Sequence, residues 1–217
     1  MPELVQPLKP RLRGVFHQWA CAGSVPLGVL LVLVAETARA RIALSVYVVS
    51  LVGLFGVSAL YHRINWRSVT GRDWMRRLDH SMIFVLIAGS YTPFAVLVLH
   101  GPLAVAILLA VWTGALLGVA FNLVWRNAPT WLRSALYVAL GWIAVAAAPQ
   151  LGAAIGLLGM TLVALGGILY TLGAVVYAIK RPDPVPAVFG YHELFHLLVI
   201  AAAALQYAVI AFWIALD

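Results

Sequence analysis

The stretch IALSVYVVSLVGLFGVSALYH, residues 42–62, contains no Asp, Glu, Lys or Arg. A helix needs about 20 predominantly apolar residues to cross the hydrocarbon core of a bilayer. These 21 residues meet that length. The stretch therefore predicts a membrane-spanning helix rather than a helix of a water-soluble core.

The composition of the whole chain supports the same class. Of its 217 residues, 64% are hydrophobic and only 10% are charged, against about 25% charged in an ordinary soluble domain. A soluble fold of this size has too small an interior to hide so much apolar surface. This excludes a soluble enzyme, a disordered chain and a nucleic-acid-binding domain. The single cysteine, Cys21, excludes an intramolecular disulfide.

Six further apolar stretches flank residues 42–62. The predicted spans are 14–35, 42–62, 78–99, 103–125, 131–148, 151–179 and 188–216. Proline-containing breaks separate several of them, including Pro149 and the run from Pro182 to Pro186. We expect an all-α fold, a single membrane domain of seven transmembrane helices covering residues 1–217.

The distribution of Lys and Arg predicts the orientation. Twelve of these residues fall on one side of the predicted spans: Lys9, Arg11, Arg13, Arg63, Arg67, Arg72, Arg76, Arg77, Arg126, Arg133, Lys180 and Arg181. Only Arg39 and Arg41 fall on the other. Basic loops remain in the cytoplasm, so we expect a cytoplasmic N-terminus and an outside C-terminus. The net charge of +7 then indicates membrane lipid, not nucleic acid, as the partner.

Ionisable side chains inside the spans converge at one depth. His62 ends the second span, Asp79 begins the third, and His192 and His196 lie near the start of the seventh. All of these positions fall at the cytoplasmic side. Ionisable groups in a membrane are costly and commonly functional, so this convergence is the main functional signal in the chain.

The residue types suit a metal. His192 and His196 are four residues apart, so both project from one helical face, and His62 supplies a third imidazole. Three histidines with one open position form a recurring catalytic zinc arrangement. Asp79 would orient a metal-bound water, and Ser58 lies one helical turn from His62. Three imidazoles also suit other transition metals.

Simpler interpretations remain open for several residues. A histidine at a helix end commonly snorkels to the interface. We interpret His17 in this way, and the same interpretation competes with a functional one for His80. Glu193 would face Lys180 or Arg181 at the interface. His192-Glu193-Leu194-Phe195-His196 also matches H-E-x-x-H, the zinc-protease signature in which Glu is the general base. A membrane protease is therefore a second alternative.

Three stretches together carry a resemblance. They are Ser58-Ala59-Leu60-Tyr61-His62, then Arg77-Leu78-Asp79-His80-Ser81 continuing to Gly89-Ser90-Tyr91-Thr92-Pro93-Phe94, and Gly190-Tyr191-His192-Glu193-Leu194-Phe195-His196. From the second span to the seventh, the chain resembles the progestin and adiponectin receptor superfamily in its bacterial hemolysin III branch. The resemblance implies zinc on His62, His192 and His196, with Asp79 touching the zinc-bound water and Ser58 beside the site.

The resemblance also implies a function. We expect a zinc-dependent integral-membrane hydrolase, or a hydrolase-like protein, of the bacterial plasma membrane. Its expected substrate is a lipid amide of ceramide type that enters from the cytoplasmic leaflet, with Asp79 and Ser58 as catalytic residues. The first alternative is a non-enzymatic regulator of the membrane, a receptor-like module or a hemolysin-type pore former. In that case the zinc would be a structural clip.

Overall fold

Seven helices account for most of residues 9–215, the part of the chain that the computed structural model describes. They are α1 (Val15–Leu33), α2 (Ala38–Arg63), α3 (Val69–Pro93), α4 (Gly101–Val124), α5 (Thr130–Gly141), α6 (Ala148–Ile179) and α7 (Tyr191–Ile210). Short π-helical turns extend α3 to Val98 and α7 to Ala215. Residues 9–215 contain no strand beyond one isolated bridge between Val185 and Phe189. The all-α prediction is confirmed; Leu216, the predicted end of the last span, lies outside the described residues.

Six segments within residues 9–215 are long and apolar enough to cross a membrane. They are Val15–Leu33, Ala38–Arg63, Val69–Val98, Gly101–Val124, Thr130–Ile179 and Tyr191–Ala215. Large apolar side chains lie on the outside of the bundle; Leu157 is 86% exposed and Val124 is 83% exposed. Such a surface is stable against lipid rather than water. The protein is an integral membrane protein of packed helices.

The longest of these segments doubles back on itself. A continuous helix of its 50 residues would be about 75 Å long. Instead, the indole N–H of Trp142 donates a hydrogen bond to the Thr171 hydroxyl at 3.0 Å. The reversal lies at Gly156, whose φ of 64° and ψ of −175° are not helical. Glycine accepts this positive φ because it has no Cβ.

Several helix boundaries differ from the predicted spans, and two of the differences have clear local reasons. α3 begins at Val69 rather than at residue 78, because the Ser68 hydroxyl caps it by accepting a hydrogen bond from the Gly71 N–H at 3.2 Å. The helix thus starts before the chain becomes apolar. Pro149, predicted to end the fifth span, lies in the first turn of α6. A proline is tolerated there because its missing N–H would have no helical partner.

The packing brings distant parts of the chain to one face. α3 packs against α2, α4 and α5, while α7 packs against α6 and α1. The segment before α1 joins the segment before α7: the N–H groups of Arg11 and Leu12 donate to the carbonyls of Ala187 and Val188 at 3.1 and 3.2 Å. The end of α2, the middle of α3 and the start of α7 therefore meet where the ionisable residues lie.

Candidate metal centre

Three histidines meet between α2 and α7, as the sequence predicts. One ring nitrogen from each of His62, His192 and His196 lies within 4.8 Å of one from each of the other two. His62 and His196 are 7% and 2% exposed. The i, i+4 spacing within α7 places the His192 and His196 rings 4.6 Å apart. The last turn of α2 brings His62 to the same place.

The spacing of these nitrogens fits a metal ion. The two nearest, Nε2 of His62 and Nε2 of His192, are 3.2 Å apart. Two imidazole nitrogens on a tetrahedral zinc ion are about 3.3 Å apart, because each Zn–N bond is about 2.0–2.1 Å. A hydrogen bond would also account for this pair, but not for the third imidazole. His196 Nδ1 is buried without a hydrogen-bond partner in the described chain. The trio can therefore bind a metal.

A carboxylate and a hydroxyl adjoin the trio. Asp79 Oδ2 lies 3.8 Å from His62 Nε2, too far for a direct hydrogen bond. This leaves the carboxylate beside the trio rather than bonded to it. Ser58, one turn before His62 on α2, lines the same cavity as Asp79. Both residues line the same cavity as His192 and His196.

An internal cavity of about 280 Å³ opens beside these residues. Its polar end is formed by His17, Ser58, Asp79, His80, His192 and His196. Its walls are apolar and extend to Leu99 and Ile107, near the opposite end of the bundle. Trp142 and Ile168 also line it and are 48% and 46% exposed. Half-exposed residues near the end of α5 and within α6 thus line the cavity, a feature that hydropathy does not encode.

His17 is not an interfacial side chain, contrary to our interpretation of the sequence. It is 3% exposed and its ring stacks on that of His196, with centroids 3.7 Å apart and planes 11° apart. The ring of Phe55 also packs against His17, with centroids 5.1 Å apart. The stack restricts the orientation of the His196 ring. Spacing within α1 gave no signal of this contact, because α1 is apolar on most of its surface.

His80 is also held inside the bundle rather than at the interface. Its Nδ1 lies 2.6 Å from the Arg76 carbonyl oxygen and its Nε2 lies 2.9 Å from the Tyr177 hydroxyl. The Tyr177 ring in turn packs against His192, with centroids 5.5 Å apart. His80 therefore supports the wall of the site through α6. Tyr177 was not among the predicted residues, since nothing distinguishes it among eight tyrosines.

Glu193 is paired with Arg13, not with Lys180 or Arg181. Its carboxylate is fully buried and accepts a hydrogen bond from Arg13 Nε through Oε1. Its Oε2 accepts from the Gly190 N–H at 2.9 Å, which caps α7. Because both oxygens are engaged, this carboxylate anchors the segment before α1 to the start of α7.

The segment before α1 also packs directly on His62. Gly14 has a φ of 78°, and a Cβ there would lie 2.5 Å from His62 Cβ, so this close approach requires glycine. Lys9 Nζ lies 3.5 Å from the His62 carbonyl oxygen. Partial burial, together with nearby Arg72, Arg13 and Arg63, lowers the pKa of Lys9 below its ordinary value. The rim of the site is therefore densely positive.

The fold and the site define a class: a multi-pass membrane protein whose buried histidine trio, able to bind a metal, adjoins a carboxylate and an apolar cavity. Residues 5–207 match the family described as haemolysin-III related, and the chain belongs to that family. The predicted resemblance to the bacterial hemolysin III branch is thereby confirmed.

Two relatives support this assignment. The chain is 32% identical to hemolysin-3 of Bacillus cereus over 155 residues, which cover 70% of each protein. It is 33% identical to the hemolysin-3 homolog of Bacillus subtilis strain 168 over 135 residues, which cover 61% of this chain and 62% of the relative. The protein is thus a multi-pass protein of a bacterial membrane.

Proposed function

We propose that the protein is a zinc-dependent membrane hydrolase that cleaves an amide bond in a lipid of ceramide type. The observation that carries the proposal is the junction of the histidine trio and Asp79 with an apolar cavity of about 280 Å³. A purely structural metal clip between α2 and α7 would need no such cavity. An acyl chain would occupy the apolar part and leave its amide group at the polar end.

The metal proposal is zinc, held by His62, His192 and His196. When bound, zinc would polarise the amide carbonyl and lower the pKa of water toward about 7. Three protein ligands leave a position open, as in catalytic zinc sites. The stack of His17 on His196 would hold one of these imidazoles in a fixed orientation.

Asp79 and Ser58 supply the remaining chemistry. Asp79 would accept a proton from the water that attacks the amide carbon. Ser58 would hydrogen-bond the attacking water or the oxyanion that develops on the carbonyl. The C–N bond then breaks, and the proton held by Asp79 passes to the leaving nitrogen. The products are a fatty acid and an amine.

The proposed topology has seven crossings, a cytoplasmic N-terminus and an outside C-terminus. The reversal at Gly156 supports the count, because it divides the 50-residue segment into two lengths that each suit one crossing. The 12-to-2 distribution of Lys and Arg supports the orientation. The substrate would then reach the site from the cytoplasmic leaflet.

Single cysteines test this topology. In a Cys21→Ala background, a cysteine at Arg67 should react only with reagents that enter the cytoplasm, whereas one at His100 should react from outside. Both side chains are exposed. Labelling of both positions from the same side would contradict an odd number of crossings between them.

The non-enzymatic alternative has one observation in its favour. Asp79 lies only 3.8 Å from His62 Nε2, so a small shift would make it a fourth metal ligand and close the site. The protein would then act as a membrane regulator, a receptor-like module or a pore former of the hemolysin type. The protease alternative is disfavoured because Arg13 and Gly190 engage the carboxylate that would be its base.

The direct test of the function is hydrolysis by the purified wild-type protein. The assay presents ceramides and other N-acyl lipids in micelles and measures released fatty acid. We expect release that requires bound metal. A fully metal-loaded protein that releases no fatty acid from any member of the panel would favour the non-enzymatic alternative.

A further inference from the structure

A second group of charged side chains lies on the same face of the bundle, outside the histidine trio. It consists of four arginines, which we call the arginine cluster: Arg76, Arg77, Arg126 and Arg133. The first two belong to α3, Arg126 follows the end of α4, and Arg133 lies in the first turn of α5. Three helices that are separate in sequence therefore bring guanidinium groups together.

The cluster contains more positive than negative charge. Asp73 accepts hydrogen bonds from Arg76, Arg77 and Arg126 at 2.7, 2.9 and 2.8 Å. Within residues 9–215, Arg133 donates hydrogen bonds only to the backbone carbonyls of Trp125 and Arg126, at 3.4 and 3.1 Å. The Asp73 carboxylate thus pairs with three of the four guanidinium groups. Packed cations repel one another unless an anion neutralises them.

Several buried polar atoms beside the arginine cluster make no hydrogen bond to the described part of the protein. Asn122 is 2% exposed, and neither atom of its amide makes a hydrogen bond of ordinary geometry within the described residues, although the Tyr137 hydroxyl lies near it and donates to the His80 carbonyl. Nε of Arg77 and Nε of Arg133 are likewise buried without a hydrogen-bond partner among the described residues. Native proteins rarely leave such atoms unpaired, because each costs about 1–3 kcal/mol. Asn122 and the four arginines line one small void with His80.

The dimensions of the void limit the ligand. Its volume is about 10 Å³, which is room for about one water-sized atom. A ligand would therefore place a single oxygen inside and keep the rest at the surface. Arg126, whose side chain is 63% exposed, stands at that surface. A tetrahedral oxyanion satisfies this requirement because its oxygens point in different directions.

We propose that the arginine cluster and Asn122 form a binding site for a phosphate group. One phosphate oxygen enters the void and accepts a hydrogen bond from the Asn122 amide nitrogen, while the others accept from Arg133 and Arg126. Arginine suits this role because its planar donors match phosphate oxygens in pairs. The phosphate belongs to an anionic lipid headgroup or is free in solution; the basic face favours the former, since cytoplasmic leaflets are anionic.

The test measures binding to the purified full-length protein in detergent. Thermal unfolding is followed while short-chain phosphatidylglycerol, phosphatidylcholine or inorganic phosphate is titrated, because a ligand of the folded state raises Tm. Arg133→Gln and Arg126→Gln should each weaken binding by about tenfold, the usual size for one charged hydrogen bond. Arg67→Gln is the matched control, since it removes one exposed charge outside the cluster.

The titrations distinguish the sources of the phosphate. If phosphatidylglycerol and inorganic phosphate both raise Tm, and the two cluster variants lose this effect, the site is supported. The phosphate group is then sufficient for binding. Stabilisation by the anionic lipid only assigns it to a headgroup, and stabilisation by inorganic phosphate only assigns it to a soluble anion. The proposal is overturned if phosphatidylglycerol and phosphatidylcholine raise Tm equally while inorganic phosphate leaves Tm unchanged. It is also overturned if Arg67→Gln weakens binding as much as Arg133→Gln.

Discussion

His192→Ala and His196→Ala should each leave the purified protein with less than about a tenth of the wild-type zinc. Each change removes one of three imidazoles whose nitrogens lie within 4.8 Å of one another. Losing even a residue that only supports a ligand commonly costs 10–100-fold in metal affinity, and losing a ligand itself should cost at least about that much. Elemental analysis of protein purified without added metal measures the result.

His100→Ala is the matched control for these variants. His100 is exposed and lies at the opposite end of α3 from the histidine trio. The His100→Ala variant should therefore retain the full zinc content of the wild type. Equal zinc content in the wild type and in His192→Ala would contradict the assignment of His192 as a zinc ligand. Equal loss in His100→Ala would show that the measurement reports folding rather than ligation.

Asp79→Asn should retain the metal and lose activity by about 10²–10⁴-fold, the usual size of a general acid–base contribution. The amide is nearly the same shape as the carboxyl group, so the packing beside Ser58 and the trio should survive. It cannot accept a proton from the attacking water. Fatty-acid release from the best N-acyl lipid, measured at equal zinc content, gives the ratio.

Glu193→Gln separates this mechanism from the protease alternative. We expect turnover close to wild type, because Glu193 bonds to Arg13 and Gly190 rather than to a reactant. Its effect should fall on stability, since the change breaks a buried ion pair. If Glu193→Gln abolished turnover while Asp79→Asn retained it, the protease mechanism would replace ours.

The grouping of several site residues could be predicted, because the predicted topology sets the depth of each residue in the membrane. Once hydropathy and charge set the direction of each span, His62, Asp79, His192 and His196 fall at the same level of the membrane. The i, i+4 spacing then places His192 and His196 on one face. Depth and spacing need no knowledge of how the helices pack, and the structure brings these four residues together.

The contacts that sequence reasoning missed depend on helix rotation. The membrane-facing and interior faces of a span are both apolar, so periodicity does not show which face of α1 points inward. His17 was therefore placed at the interface, although it stacks on His196. The Arg13–Glu193 pair was missed for a related reason: it joins residues 180 positions apart through a segment that lies outside every span.

Anomalous scattering at the zinc edge, from crystals of protein purified without added metal, tests the central claim most directly. The account predicts one zinc peak per chain, about 2.0–2.1 Å from a nitrogen of each of His62, His192 and His196. Its fourth position should face the cavity, with Asp79 beyond direct bonding distance. A site without metal, or a zinc ion closed by Asp79 as its fourth protein ligand, would contradict a hydrolytic centre.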